Sequence, residues 1–281
     1  MMAQAPDILF LIVIYGNHDV ASTFVQTQSA KYISASFAIS DNSPRTEQNE
    51  LHALASHVVV RRPDNPGYFG GAMAAYAAHC EKSSAPRPDW VVICNTDLSF
   101  DIHELVEALA SHSNLANAMS IIAPRIRELP SGRELNPHIR HRPPARWYRL
   151  RGVLGRSVVL CWFYLLASRL MHCLRRSPRT VVTSVPNGAS MFAPHGSFIV
   201  FSRPMIDCAS EFARVPLLAE EYAVALASLR CRAAITLDTS VTVTHCPHST
   251  TGSAISLFRA RLLRRAFRYI ADHQPIFSDT S

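Results

Sequence analysis

The stretch at residues 90–97 constrains the fold more than any other part of the chain. Its apolar, β-branched run at residues 91–93 is typical of a buried strand in a parallel sheet and is too short for a helix. Asn95 and Asp97 follow directly. Because ligands of open α/β sheets bind beyond the carboxyl ends of the strands, this pair predicts an edge that binds a divalent cation and a diphosphate. Taken alone, capping of the next helix is the simpler explanation of the pair.

Apolar runs alternate with helical patterns through the first half of the chain. Strands are predicted at residues 8–14, 35–39, 57–60 and 120–123, and helices after Asn17, over residues 46–55 and from the glycine-containing motif at residues 65–71 to about Cys80. The first run is short and lacks a basic flank, so it predicts a core strand rather than a signal peptide. The alternation predicts an α/β fold with a doubly wound, mostly parallel sheet and helices on both faces.

The second half of the chain adds further sheet and helix signals. They predict sheet segments at residues 187–192 and 195–201, a short helix at 204–212, a helix that begins at Glu220, a strand at 233–244 that ends in His245, and a basic amphipathic helix at 255–270. Glu220 and Glu221 suit the first turn of a helix, since the helix dipole favours negative charge there.

The charge of the chain is positive and unevenly placed. A formal net charge of +7 favours an anionic partner, which could be a nucleic acid, a membrane surface or a phosphorylated substrate. Ten arginines lie from Arg140 to Arg179, and no acidic residue lies between Glu134 and Asp207. Residues 130–180 are therefore predicted to be an arginine-rich insertion.

The insertion contains an apolar run at residues 158–167, with Trp162, Phe163 and Tyr164 inside it. A membrane-spanning helix needs about 20 apolar residues, roughly twice the length of this run. Two interpretations are open: a helix in the headgroup region of an anionic membrane, or a buried hairpin that covers one face of the sheet. RNA binding is less favoured, and no nucleic-acid partner is predicted, because the aromatic residues lie inside the apolar run rather than among the arginines.

The seven cysteines show no C-x-x-C pair and no spacing typical of zinc sites. Several lie inside apolar runs, as buried free thiols do. They favour free thiols and a cytoplasmic location.

An ordered set of short motifs resembles the family 2 glycosyltransferases, which have the GT-A fold, and among them bacterial enzymes that build capsule or cell-surface polysaccharide. The motifs are Tyr15 after the first strand, Ser40-Asp41-Asn42-Ser43, Asn65-x-Gly67-Tyr68-Phe69-Gly70-Gly71, Asn95-x-Asp97, His195-Gly196-Ser197, Glu220-Glu221, and His245 with His248-Ser249. The resemblance predicts a GT-A domain at residues 1–253, which includes the insertion, and a basic C-terminal helix and tail at 254–281.

The resemblance implies a donor side and a metal site. The nucleotide-diphosphate sugar would be bound by Tyr15, Asp41, Asn65, Gly67 and Asn95. Asp97 would hold Mg²⁺ or Mn²⁺ against the diphosphate, and His245 would return to the metal or diphosphate from the far end of the domain. A divalent cation suits a reaction in which negative charge grows on a diphosphate leaving group.

On the acceptor side, the resemblance implies a general base and a lining. Glu221, or failing it Glu220, would deprotonate the acceptor hydroxyl, and the lining would consist of His195, Gly196 and Ser197. A sugar hydroxyl is a poor nucleophile, so a positioned carboxylate has to take its proton. The implied activity is inverting transfer of a hexosyl or deoxyhexosyl unit to a lipid-linked or growing surface glycan, by a peripheral protein at the inner face of the cell membrane.

The sequence departs from the family pattern at three places. Gly16 and Asn17 follow Tyr15 where many relatives have Tyr-Asn, Asn95 replaces the first aspartate of the metal motif, and the acidic pair is Glu-Glu rather than Glu-Asp. Two alternatives stay open: a nucleotidyltransferase, and a catalytically silent glycosyltransferase-like scaffold. Single residues also have simpler explanations, such as an Asx turn at Asp41.

Overall fold

The structure is a computed structural model that describes residues 5–32, 34–45, 54, 56–82, 87–174, 185–212, 214–246 and 256–273. Within these ranges the strands are β1 (Ile8–Ile14), β2 (Ala35–Asp41), β3 (Val58–Arg61), β4 (Trp90–Cys94), β5 (Leu98–Ser99), β6 (Ser120–Glu128), β7 (Phe198–Ser202) and β8 (Ala234–His245). The helices are α1 (His18–Lys31), α2 (Gly67–Lys82), α3 (Ile102–Ser111), α4 (Ala145–Leu154), α5 (Val158–Leu174), α6 (Arg203–Ala209), α7 (Glu220–Cys231) and α8 (Leu257–Asp272).

The strands form one sheet in the order β3-β2-β1-β4-β7-β6-β8-β5. Strands β3, β2, β1 and β4 run parallel to one another, whereas β7 runs antiparallel to both β4 and β6. On the far side β6 pairs with β8 in parallel, and β5 pairs with β8 antiparallel. The predicted α/β class with a mostly parallel sheet is confirmed, and the ends of β1, β2 and β4 lie at the same edge.

Helices cover both faces of the sheet. Side chains alternate along β1, so that Leu9 and Leu11 join a core with residues of α2 and α7, whereas Phe10 and Ile12 join a second core with residues of α1 and α3. The β4 strand is buried along its whole length between these two layers. Its run of β-branched residues therefore serves two cores at once, as expected for a central strand.

Three local predictions differ from the structure. Within residues 187–192, Ser190 makes a single bridge to Thr236 of β8 and no strand forms, and the strand predicted at 195–201 begins at Phe198. The two-residue strand β5 was not predicted from the sequence. The helix predicted at residues 46–55 lies, apart from Leu54, outside the described residues, and so do His248, Ser249 and the predicted boundary at residues 253 and 254.

One arginine of the insertion lies among aromatic rings of three helices. The guanidinium carbon of Arg151 lies 4.2 Å from the ring centre of Trp147, 5.1 Å from that of Tyr164 and 4.7 Å from that of Phe267. These rings belong to α4, α5 and α8, so one cation joins all three helices by cation–π contacts. The Nε atom of Arg151 is buried among them.

The two interpretations of the apolar run each describe one face of α5. Cys161 is buried, and Trp162, Tyr164 and Leu165 pack against the core, as the buried hairpin predicts. The opposite face carries large exposed apolar side chains at Val159, Leu160, Phe163, Leu166, Leu170 and Met171. Among the described residues no single helix has the length and apolarity to cross a membrane; α4 and α5 meet those criteria as a pair, with a bend of 119° between them.

The expectation of free thiols is wrong for two of the seven cysteines. Cys208 of α6 and Cys231 at the end of α7 form a disulfide. The sequence could not pair them, because they are 23 residues apart and meet only once the two helices are packed together. Among the other cysteines, Cys94 and Cys161 are buried free thiols, as predicted.

We expect two adjacent aromatic residues of α5 to differ sharply in their effect on stability. Tyr164→Ala removes a ring that contacts Arg151 and Phe267, so it should lower the free energy of unfolding by about 2–4 kcal/mol. Phe163→Ala serves as the matched control, because its ring is 56% exposed, and it should change stability by less than about 0.5 kcal/mol. Urea unfolding followed by circular dichroism measures both values. Equal losses would contradict the two-faced description of α5.

Candidate active site

Asp97 and His245 meet because β5 pairs with the end of β8. Leu98 lies opposite His245 in this antiparallel pair, and the backbone N–H of Cys246 donates to the carbonyl oxygen of Asp97 at 3.0 Å. The Nε2 atom of His245 lies 3.3 Å from Oδ2 of Asp97. The helix-cap explanation of Asp97 is wrong, since the side chain that caps α3 is that of Asp101.

The predicted acceptor-side turn is attached to the same edge. The backbone N–H of Asn95 donates to the carbonyl oxygen of Ser197 at 2.9 Å, which joins the end of β4 to the start of β7. The His195 ring centre lies 5.9 Å from that of His245. The structure thus brings the predicted metal site and the predicted acceptor lining together.

His195 is a neutral ring with a defined tautomer. Burial, followed by electrostatic interaction with His138, His245 and Arg133, lowers the pKa of His195 to about 3. The backbone N–H of Ser197 donates to Nδ1 of His195 at 3.3 Å, so we assign the ring proton to Nε2. His195 therefore presents an N–H donor at neutral pH.

The two acidic residues at the start of α7 have different surroundings. Glu220 is buried, whereas Glu221 is partly exposed. A Cβ atom added to Gly196 would lie 3.3 Å from Oε1 of Glu221, so a larger residue at position 196 would crowd that carboxylate. Glu221 therefore reaches the acceptor-side turn, as predicted for the base.

Burial and then the negative charge of Glu221 raise the pKa of Glu220 to about 8, although backbone N–H groups of residues 218–220 partly stabilise its charge. Glu220 therefore carries a proton through much of the neutral range. A carboxyl group that is protonated at pH 7 is less available as a base, which favours Glu221 for that role.

Tyr68 was not assigned a role from the sequence. Its hydroxyl is buried without a hydrogen-bond partner among the described residues. Burial, and then the neighbouring ionisable groups of Cys94, Glu220, Asp97 and Glu221, which disfavour a phenolate, raise its pKa well above the usual value. Tyr68 therefore lies near both the acid pair and Asp97, as a neutral donor. Its place in the Asn65–Gly71 motif was visible in the sequence, but the direction of its side chain was not.

The predicted donor-side residues lie at the same edge but differ in exposure. Tyr15 is 50% exposed just after β1, at the open side. Asp41 is fully buried: its Oδ1 accepts from the backbone N–H of Ser43 at 3.0 Å, and its Oδ2 lies 3.2 Å from Nε2 of His18. The Asx turn weighed for Asp41 is therefore present. A contact of Asp41 with a nucleotide base remains a prediction.

The loop before α2 depends on unusual backbone angles. Asn65 has a φ angle of +42° and Gly67 one of +83°, and the Oδ1 atom of Asn65 accepts from the backbone N–H of Gly67 at 3.2 Å. A Cβ atom at Gly71 would lie 2.8 Å from the Asn42 side chain, so the glycine lets α2 approach the end of β2. These contacts place the start of α2 at the same edge as Asp97.

The side chains present fit a divalent cation that is shared with a substrate. No group of three or more His, Cys, Asp or Glu side chains among the described residues could hold a metal ion by itself. Asp97 and His245 supply one carboxylate and one imidazole, and Nδ1 of His245 is a buried atom without a hydrogen-bond partner in that part of the chain. One carboxylate with substrate phosphates is a usual Mg²⁺ arrangement.

Sheet order, helix placement and the polar strand ends together define a GT-A-like glycosyltransferase fold. The sequence matches no known protein-family profile and no curated protein. Among solved structures, the chain is similar to GalNAc-T7 crystallised with UDP, GalNAc and Mn²⁺, with a TM-score of 0.51 and 10% identity. The match covers 99% of this chain but spans about half, 52%, of that one. At this identity it shows the fold.

A second solved structure, a mycobacterial protein, is also similar. It has 15% identity and a TM-score of 0.45, and the match covers 92% of this chain and 75% of the mycobacterial one.

The raised pKa of Glu220 predicts a pH-dependent cost to stability. In the unfolded chain this carboxyl loses its proton near its ordinary pKa of 4.5, whereas the folded protein retains it to about pH 8. Its contribution to stability therefore falls as pH rises from 4.5 to 8 and is constant above. Glu220→Gln should raise the melting temperature relative to the native chain at pH 8.5 and have little effect near pH 4.5.

Thermal unfolding across this pH range measures the difference, and Glu211→Gln is the matched control because Glu211 is exposed. A gain that is the same at every pH for Glu220→Gln would contradict the raised pKa.

Proposed function

We propose that this chain is an inverting, metal-dependent glycosyltransferase of the family 2 type. It transfers a hexosyl or deoxyhexosyl unit from a nucleotide-diphosphate sugar to a hydroxyl of a lipid-linked or growing surface glycan, such as a capsule. One observation carries the proposal: the Asp97–His245 pair and the Glu221 carboxylate both lie close to the His195–Ser197 turn, at one sheet edge. The similarity to a glycosyltransferase that binds UDP, GalNAc and Mn²⁺ supports it.

On the donor side, the strand ends offer a surface for the nucleotide. Tyr15 is exposed for stacking against a base, and the start of α2, at the same sheet edge, has backbone N–H groups that suit phosphate oxygens. Asp97 and His245 would hold Mg²⁺ or Mn²⁺, which supplies stabilisation of the negative charge on the departing diphosphate. Asn95 would assist through its neutral amide.

On the acceptor side, Glu221 takes the proton from the attacking hydroxyl. The oxygen then bonds to the anomeric carbon as the bond from that carbon to the diphosphate breaks, so the configuration at the carbon is inverted. The neutral His195 donates a hydrogen bond from its Nε2–H group to an oxygen of the acceptor. Because Glu220 is protonated, Glu221 is the one charged base in the acidic pair.

Proton NMR of the product would show the inverted anomer, and a retained configuration would contradict this step.

The acceptor and the location are inferred from the insertion. The exposed apolar face of α5 suits the headgroup region of a membrane, where a lipid-linked acceptor would be found. We therefore propose a peripheral protein at the cytoplasmic face of the cell membrane. Phe163→Ala, which should leave the fold intact, is expected to weaken binding to lipid vesicles.

The metal proposal predicts unequal losses at two neighbouring positions. Asp97→Ala removes a charged cation ligand and should reduce transfer by about a hundredfold or more, whereas Asn95→Ala should cost less, because an amide is the weaker ligand for a hard cation. Transfer is measured with Mn²⁺ present and after EDTA. Near-normal transfer by Asp97→Ala in the presence of EDTA would show that the reaction does not depend on a metal ion bound by Asp97.

The base assignment predicts a different pattern. Glu221→Gln keeps the shape but removes basicity, so it should slow transfer by about a hundredfold or more and leave nucleotide affinity nearly unchanged. Glu220→Gln is the matched control at the adjacent position and should have a milder effect. Transfer rates and nucleotide titrations of both variants decide the question. A larger loss at Glu220 would move the base by one residue, and no loss at either would favour the silent scaffold.

A further inference from the structure

A basic cavity lies on the surface that α4 and α8 share. Its volume is about 700 Å³, and four of its lining residues are Arg149, Arg156, Arg264 and Arg268. Asp272 is the single carboxylate that lines it. These residues leave the lining with a formal charge of +3, from four guanidinium groups and one carboxylate. None of them belongs to the candidate active site.

Two glycines allow the helices to bring these arginines together. A Cβ atom on Gly155 would lie 3.0 Å from both the Cγ and the backbone nitrogen of Arg268, and one on Gly152 would lie 3.4 Å from Cβ of Ala271. Larger residues at position 155 would push the turn after α4 away from α8. The close packing therefore fixes the walls of the cavity.

The arginines of the cavity are not neutralised within the described part of the chain. None of the four makes an ion pair with a carboxylate there, and the Nε atom of Arg264 is buried without a hydrogen-bond partner among those residues. Guanidinium groups held close together repel one another, and an anion between them removes that cost. Phosphate suits the site, because its oxygens match the fork of N–H donors on each guanidinium.

The surroundings of the cavity indicate where the phosphate comes from. Val153 lines the cavity and is 48% exposed, and three residues after Arg156 the exposed apolar face of α5 begins at Val159. A cationic cavity beside an apolar face matches a molecule with a phosphate at one end and hydrocarbon below it. We propose that the cavity binds the phosphate headgroup of an anionic lipid while the α5 face rests in the headgroup layer. This inference rests on the proposed membrane association and is independent of sugar transfer.

Vesicle binding by matched charge variants tests the inference. The full chain is sedimented with phosphatidylcholine vesicles that either contain or lack phosphatidylglycerol. Arg264→Gln with Arg268→Gln removes two charges from the cavity, and Arg261→Gln with Arg265→Gln removes two exposed charges from the same helix outside it. We expect the cavity pair to lose roughly tenfold more affinity for the anionic vesicles than the control pair, since hydrogen-bonded phosphate contacts exceed diffuse attraction.

A second cavity variant distinguishes a loss of phosphate binding from a loss of folding. Arg156→Gln with Arg268→Gln changes two exposed side chains and should show the same selective loss with an unchanged melting temperature. All variants should bind neutral vesicles like the native chain, because the α5 face is intact. Transfer to a soluble acceptor should also be unchanged.

Three outcomes would overturn the inference. Equal losses for the cavity and control pairs would mean diffuse attraction without a built site. Equal binding of the native chain to anionic and neutral vesicles would show that the chain associates with membranes without binding an anionic headgroup. Absence of vesicle binding, with glycerol phosphate or inorganic phosphate stabilising the native chain but not the cavity variants, would assign the cavity to a soluble phosphate. Failure of sugar transfer would leave these binding results unaffected.

Discussion

The pairing of β5 with the end of β8 is the contact on which the candidate site depends. It joins two residues of β5 to a strand that ends almost 150 positions later, and it sets His245 beside Asp97 with 3.3 Å between Nε2 and Oδ2. Without it, Asp97 would be a single carboxylate at a strand end, with no imidazole of His245 beside it. Asn95 adds a second link, because its backbone N–H ties β4 to the turn that carries His195. The sheet therefore provides a rigid edge for the candidate site, and the short β5 joins Asp97 to the end of β8 at that edge.

The candidate site and the chain as a whole differ in the sign of their charge. Asp97, Glu220 and Glu221 surround the buried hydroxyl of Tyr68, so the site itself is acidic although the chain carries a net charge of +7. Burial of like charges is unfavourable, and a proton on Glu220 relieves part of that cost. A divalent cation at Asp97 would relieve more of it and would attract the diphosphate at the same time. The acidity of the site is thus consistent with a cation that arrives together with its substrate.

Local patterns allowed much of the fold to be predicted, whereas contacts between distant residues did not follow from them. The β-branched run of β4, the start of α7 at Glu220 and the amphipathic α8 all follow from spacing and chemistry. The strand β5 is too short to show a period. The disulfide between Cys208 and Cys231 and the direction of Tyr68 depend on how separate elements pack. The prediction for α5 was incomplete for a different reason. The buried-hairpin interpretation applies to its buried face, and the headgroup interpretation concerns its exposed apolar face; the sequence could not show that the two faces differ.

The helix α4 connects the candidate active site with the basic cavity. Trp147 stacks on Tyr222, with ring centres 5.2 Å apart, and Tyr222 follows the predicted base Glu221 directly in α7. Two residues further along α4, Arg149 lines the cavity, and Arg151 joins the helix to α5 and α8 through three aromatic rings. A ten-residue helix therefore contacts Tyr222, the residue after the acid pair, on one side and lines the basic cavity on the other. Because its position is fixed by ring stacking and a cation held among aromatic rings, α4 would keep the proposed lipid surface and the predicted acceptor side at a defined distance and orientation, as a transferase that takes its acceptor from a lipid surface would require.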